Sequence, residues 1–323
     1  MPTPGGLGTT VARPGSLNPN SSTKSEVRLP DVIGIGPPRT GSTWLYEVLN
    51  GHVQMPYGVK DTHFFDRFHD LGLDWYARHF RFATAGLPIV EICPGCFFKP
   101  NRPEWINAEV PSCRVIATMR DPVDRLYSVY KLQRHFAETR MGSFDEVLKR
   151  RPEFGNGNRY ASYLRKWFDT LGRENVLVTM YDELHSDPQT YLNRVTDFIG
   201  IERIALSERP KIADDVNSFA RAPRQRRLAR RATRLMYWLR SRQAYGTVDL
   251  LERAGVWDFC HGRGEPFGRL TAEQDERLRE RYRPEVEALE ELIGIDLSSW
   301  KKPRTARDTG NAAAAPVAVS ANG

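Results

Sequence analysis

The sequence predicts an α/β domain: a doubly wound parallel sheet with a P-loop-like phosphate site, folded as a single domain. Three observations predict it. Apolar, β-branched runs alternate with helical patterns along the chain. The first such run, Val32–Ile35, breaks into Gly36-Pro37-Pro38-Arg39-Thr40-Gly41 before a helix opens at Ser42-Thr43. A later run, Cys113–Met119, stops at Arg120-Asp121-Pro122 ahead of another helix.

Each element follows from local chemistry. The glycine-and-hydroxyl loop aims backbone N–H groups and the positive end of a helix dipole at one spot, which suits a phosphate. Its Gly36-x-x-x-x-Gly41 spacing copies a Walker A loop, but Ser42-Thr43 stands where Lys-Ser/Thr would follow. The strong cation is Arg39, inside the loop, so the site reads as one for a phosphate-bearing nucleotide other than ATP or GTP. The first helix covers about 43–50, and strands follow at 88–92, 113–119 and 175–180. Helices are expected after Pro122 (carrying Leu126, Tyr130 and Leu132) and over 143–150, 159–171, 187–199 and 271–293. Thr271 and Gln274 form a capping box at the start of the last helix, and Pro284 is expected to kink or divide it.

The composition sets bounds on class. The chain has 323 residues, of which 40% are hydrophobic, enough for one large α/β core. Residues 1–28 read as a disordered leader, 29–302 as the folded domain, and 303–323 as a disordered tail. No run of 18 uncharged apolar residues occurs, and the start lacks the basic-then-apolar order of a secretory signal. The expected location is therefore cytoplasmic, with room for a peripheral membrane contact. The four cysteines are too few for a disulfide framework, and Cys93-Pro94-Gly95-Cys96 is read as reduced and structural rather than redox-active or zinc-binding. No metal site is expected.

The net charge of +7 conceals a local excess of arginine. Between Asp215 and Asp249 there is no acidic residue, while Arg221, Arg224, Arg226, Arg227, Arg230, Arg231, Arg234, Arg240 and Arg242 fall there. Leu228, Ala232, Leu235 and Leu239 recur at helical spacing, giving an amphipathic helix with a basic face. Such a face is a solvated surface, a polyanion-binding surface, or a contact with an acidic membrane. No nucleic-acid partner is expected.

A second anionic site is expected at Arg120-Asp121-Pro122-Val123-Asp124-Arg125-Leu126-Tyr127-Ser128. Arg120 stands at the carboxyl end of a strand, and Ser128, about two helical turns on, can face the same oxygen cluster. Asp121 before Pro122 also suits a helix N-cap.

At these residues the chain resembles the sulfotransferases that use 3′-phosphoadenosine 5′-phosphosulfate (PAPS). Pro38-Arg39-Thr40-Gly41-Ser42-Thr43-Trp44-Leu45 is similar to their 5′-phosphosulfate loop, and Arg120-Asp-Pro-x-x-Arg125-x-x-Ser128 to their 3′-phosphate motif. Gly58-Val59-Lys60-Asp61-Thr62-His63-Phe64-Phe65-Asp66 resembles the Lys-Glu-x-His-Phe-Phe-Asp stretch of heparan-sulfate 3-O- and N-sulfotransferases, and Gly72-Leu-Asp-Trp-Tyr76 fits the same branch. The resemblance continues through Tyr181–Leu184 and Asp187-Pro188 to Leu297–Trp300.

It implies PAPS as co-substrate, with no metal, and transfer of a sulfuryl group to a hydroxyl or amine, first of all on a carbohydrate or glycolipid. Arg39, Thr40, Gly41, Ser42 and Thr43 would serve the phosphosulfate, Trp44 would pack near the nucleotide, and Arg120 with Ser128 would hold the 3′-phosphate. Arg263, in His261-Gly262-Arg263-Gly264, matches a late loop that closes over the nucleotide. Asp61 matches the glutamate used as base and is one methylene shorter. His63, expected on the same side of an extended segment, would assist it. The loop lysine of the family is Arg39 here, as in protein-tyrosine sulfotransferases, and arginine cannot give up a proton. Ile92 replaces a lysine that follows Val-Glu in the heparan enzymes. A P-loop kinase and a non-catalytic polyanion-binding module are the alternatives.

Overall fold

The computed structural model describes residues 28–83, 86–136, 141–206, 221–223, 225–261 and 263–303, without the side chains of 221, 222, 258 and 263–266. The expected leader and tail lie outside these residues, apart from Arg28 and Pro303 at their edges.

Four strands, β1 (Val32–Gly36), β2 (Val90–Ile92), β3 (Arg114–Met119) and β4 (Val176–Met180), form a parallel sheet in the order β2-β1-β3-β4. These are the four expected strands. Around them run α1 (Ser42–Leu49), α2 (Leu73–Ala77), α3 (Arg102–Glu109), α4 (Pro122–Phe136), α5 (Phe144–Arg150), α6 (Tyr160–Leu171), α7 (Tyr181–Ser186) and α8 (Pro188–Ile199). After them come α9 (Arg226–Ser241), α10 (Tyr245–Arg253), α11 (Val256–His261), α12 (Ala272–Ile293) and α13 (Ser298–Lys301). An antiparallel pair that the sequence pattern does not announce, β5 (Arg221–Pro223) and β6 (Arg263–Pro266), stands apart from the main sheet.

The strands are buried on both faces, as a doubly wound sheet requires. Ile33 and Ile35 of β1 and Val115, Ala117 and Met119 of β3 face a core shared with α6 and α12. Val32 and Ile116 face the opposite layer, built on α1 and α8. Because side chains alternate along a strand, this two-sided burial explains why the runs read as continuously apolar.

The chain order places the site. From β1 the chain moves to β2 on one side, then returns to β3 on the other, so the reversal lies between β1 and β3. Ligands of such sheets sit beyond the carboxyl ends of the strands at that reversal. There the β1–β3 register shifts between Gly34 and Gly36. Gly36 has φ +88° and lies so close to the turn after β2 that a Cβ would stand 2.6 Å from the Pro94 carbonyl. Only glycine fits.

A buried ion cluster anchors the second strand end. Asp121 accepts from Val123 N–H at 2.9 Å, as an N-cap should. Its other oxygen accepts from Arg279 Nη1 of α12 at 2.9 Å, and Arg279 also donates to Asp275 and to the Trp300 carbonyl.

Three expectations about the fold are corrected by these elements. Pro284 does not divide α12: Leu278, Tyr282, Val286 and Leu289 are buried on either side of it, and that packing carries the helix through. Cys93 and Cys96 are not reduced but joined as a disulfide that closes the turn after β2, whereas Cys113 and Cys260 are free and buried. In α9 the inward residues are Ala229, Ala232, Thr233 and Leu239, while Leu235 points out. Trp44 is 6% exposed and edge-on to Tyr191 of α8.

Arg279→Ala leaves Asp121 and Asp275 without their buried counter-charge. Urea unfolding is expected to show a loss of about 3–5 kcal/mol.

A candidate active site at two neighbouring strand ends

The phosphate loop is shaped by its own backbone. Thr40, buried, donates its hydroxyl to the Pro37 carbonyl at 2.7 Å, closing the turn. Gly41 is the N-cap of α1 with φ +90°, and a Cβ there would stand 2.7 Å from Leu184. No side chain caps α1 and its first turn holds no acidic residue, so the positive end of the helix faces the loop. Arg39 has φ +74°, a conformation that costs a non-glycine residue about 1–3 kcal/mol and is characteristic of functional loops.

The two predicted phosphate motifs meet. Arg39 Nε donates to Ser128 Oγ at 2.7 Å, and Arg120 Nη1 donates to the Arg39 carbonyl at 2.9 Å. Arg125, buried, donates to the Pro38 carbonyl at 3.4 Å and to Asn158 Oδ1 at 2.6 Å, tying the loop to α4. Arg120 stacks over Tyr181, with its guanidinium carbon 4.3 Å from the ring centre. Its Nε is buried and has no hydrogen-bond partner among the described residues.

This is a crowd of cations. Burial and the charge of Arg120 lower the Arg39 guanidinium to about 10. Burial, then Arg39 and Arg120, lower Lys131 as well. Like charges forced together out of water call for an anion between them.

A second cluster stands beside the first. Lys60 Nζ donates to Thr43 Oγ1 at 3.0 Å, so the segment that carries Asp61 is tied to the phosphate loop. Burial lowers Lys60 against the opposing charge of Asp61, and Arg39 and Arg240 add repulsion. Asp61 Oδ1 accepts from the His63 backbone at 2.9 Å, and its Oδ2 lies 3.6 Å from His63 Nδ1. The same ring nitrogen lies 3.2 Å from both oxygens of Asp66. The segment is not extended as expected. His63 has φ +57° and caps a tight turn over 64–68, which still brings its ring to Asp61. Burial alone would lower His63, but Asp61 and Asp66 outweigh it and raise its pKa. Burial raises Asp61, with the His63 charge opposing. Behind them Glu91 is fully buried, and burial followed by the Asp61 charge pushes it up to about 7.

Helix α9 forms a wall of this site. Tyr237 lies edge-on to His63, with ring centres 5.7 Å apart, and Arg67 sits 3.8 Å over the Tyr237 ring. The Arg240 Nε is buried without a hydrogen-bond partner among the described residues, and its charge reaches Lys60 and His63.

Thus the loop of residues 39–43, Arg120 and Ser128 meet beyond the ends of β1 and β3, and Lys60 joins the segment of Asp61 and His63 to them. Trp44 packs in the layer of α1 and α8. The side chains of Arg221 and Arg263 and all of Arg224 lie outside the described residues; the Arg263 backbone pairs with Pro223. Lys60, Asp66, Glu91, Tyr237 and Arg240 were not singled out for the site from the sequence. Lys60 and Asp66 stand at the two ends of the Lys-x-x-His-Phe-Phe-Asp stretch and so carried a sequence signal, whereas Glu91, Tyr237 and Arg240 depend on the tertiary fold.

Residues 29–212, more than half of the chain, match the sulfotransferase domain family model. The chain belongs to the sulfotransferase family. It is 30% identical over 210 residues to heparan sulfate glucosamine 3-O-sulfotransferase 3A1 of Homo sapiens, covering 62% of this chain and 51% of that protein. It is 28% identical over 204 residues to the human bifunctional heparan sulfate N-deacetylase/N-sulfotransferase 3, covering 56% of this chain and 23% of that protein. The chain thus spans about half the length, or less, of these relatives. Its fold is similar to a sulfotransferase from Alicyclobacillus acidocaldarius, with TM-score 0.59 and 20% identity, covering 85% of this chain and 100% of that one.

If Asp66 holds the His63 ring, Asp66→Asn lowers the titration midpoint of that imidazole, followed by NMR. An unchanged midpoint would mean the contact does not form in solution.

Proposed function

We propose that this chain transfers the sulfuryl group of PAPS to a hydroxyl of a carbohydrate acceptor. The observation that carries this reading is the Arg120–Arg39–Ser128 contact, which makes two anion sites into one cleft. The unpartnered Arg120 Nε and the crowded cations fit a nucleotide bearing phosphates at both ends. PAPS supplies an activated sulfate on a phosphate leaving group.

The residues divide the work. Arg120 and Ser128 bind the 3′-phosphate, the feature that separates this nucleotide from ATP. Arg39, the backbone of residues 40–43, the α1 terminus and Lys60 receive the 5′-phosphosulfate and its developing charge. Asp61 takes the acceptor proton as the new oxygen–sulfur bond forms and the bond to the phosphate breaks. A carboxylate raised by burial is a better base near neutrality than an exposed one. His63, held between Asp61 and Asp66, orients that carboxylate and shares the proton. The cations of α9, Arg240 inside the cleft and Arg227, Arg231 and Arg234 on its exposed side, suit anionic groups on the acceptor.

Calorimetry with adenosine 3′,5′-bisphosphate and with ATP tests the donor side. Tight binding of the bisphosphate and weak binding of ATP are expected, and Arg120→Ala weakens the former by about tenfold to a hundredfold. Equal binding of the two nucleotides would favour a kinase-like site. With labelled PAPS and a panel of glycan acceptors, Asp61→Asn is expected to lower kcat by about 10²–10⁴ while bisphosphate binding stays intact. Full activity in Asp61→Asn would remove it as the base.

A further inference from the structure

Glu91 has no role in the steps above, yet it is the most enclosed carboxylate near the site, with no exposure. It lies on β2, in register with Ile33 of β1, and so is fixed by the sheet. Its Oε2 accepts from Tyr76 OH at 2.5 Å. Its Oε1 accepts from the Thr62 backbone N–H at 3.2 Å and from the Thr62 hydroxyl. The Thr62 hydroxyl oxygen in turn accepts from Phe64 N–H at 3.1 Å. The backbone on both sides of His63 is therefore moored to one buried side chain of the sheet. Between those moorings His63 holds its left-handed φ of +57°. A non-glycine residue keeps that conformation only where its surroundings impose it.

We propose that Glu91, acting through Thr62, is a positioning residue that holds His63 in its left-handed conformation and thereby sets the Asp61–His63–Asp66 geometry. The inference deepens the sulfuryl-transfer reading and rests on it for its kinetic consequence. The nucleotide contacts of Arg39, Arg120 and Ser128 use none of these atoms. Loosening the mooring should therefore slow the chemical step and leave donor binding alone.

Thr62→Val tests this with no change of charge or size. It removes the hydroxyl that relays Glu91 to Phe64 N–H, while Thr62→Ser keeps that hydroxyl. In Thr62→Val kcat is expected to fall about tenfold to a hundredfold, the reach of a small misplacement of a catalytic group. Bisphosphate affinity should stay within about twofold, and Thr62→Ser should restore most of the rate. Glu91→Gln should lower kcat similarly, and the double variant should be no slower than the slower single one, as links of one chain behave. The His63 imidazole midpoint, read by NMR in the free protein, should drop in Thr62→Val and return in Thr62→Ser. A Thr62→Val protein with unchanged kcat and an unchanged His63 midpoint would overturn the proposal, as would parallel loss of bisphosphate binding. If the wild-type chain transfers no sulfuryl group, the function above fails, and the His63 midpoints alone decide this inference.

Discussion

Arg39 and Arg120 are held near one another at the ends of two adjacent strands, with Lys131 of α4 within reach of both charges, and this mutual repulsion is the constraint on which the rest depends. The protein tolerates it by paying in strain and in structure. Arg39 adopts a left-handed backbone, Arg120 leans on the Tyr181 ring and the Arg39 carbonyl, and Arg125 secures the loop from below. The buried Arg279–Asp121 pair holds the second strand end in place. Cations grouped in this way suit the polyanionic donor proposed above, the form of preorganisation that electrostatic catalysis needs.

The groups assigned to the chemistry lie outside the sheet, on the segment between α1 and β2, and that segment is fastened from three sides. Lys60 joins it to the phosphate loop, Glu91 joins it to β2, and the α9–α10 corner clamps it from above. In that corner Trp75 Nε1 donates to the Ser241 carbonyl at 2.9 Å and Gln243 Nε2 to the Trp75 carbonyl at 2.8 Å. Tyr245 OH lies 2.5 Å from His79 Nε2. Burial lowers His79 to about 4, so it stays neutral and acts as an acceptor within the clamp. The arginine-bearing helix is thus part of the site architecture.

Much of this was legible in the chain, for physical reasons that differ by element. The strands are short, largely apolar runs, β1 ended by a glycine loop and β3 by Arg-Asp-Pro, so burial wrote them into the sequence. The phosphate loop and the 120–128 motif are local devices, and local spacing is enough to read them. Glu91 was illegible because a lone acid in a short apolar strand reveals nothing of the three donors that converge on it. The packing of Trp44 against Tyr191 of α8 is likewise a tertiary contact that its place beside the loop does not reveal. Pro284 breaks a helix in isolation, but here packing on both sides outweighs the lost hydrogen bond. The turn at His63 escaped prediction because its left-handed backbone opposes local preference and is held by partners distant in sequence.

The most direct measurement is a crystal structure of the chain with adenosine 3′,5′-bisphosphate. The 3′-phosphate should lie within hydrogen-bond distance of Arg120 and Ser128, with the 5′-phosphate on the backbone of residues 40–43 and near Lys60. A nucleotide bound elsewhere, or one whose phosphates leave the cations at the β1 and β3 ends unmatched, would contradict the central claim.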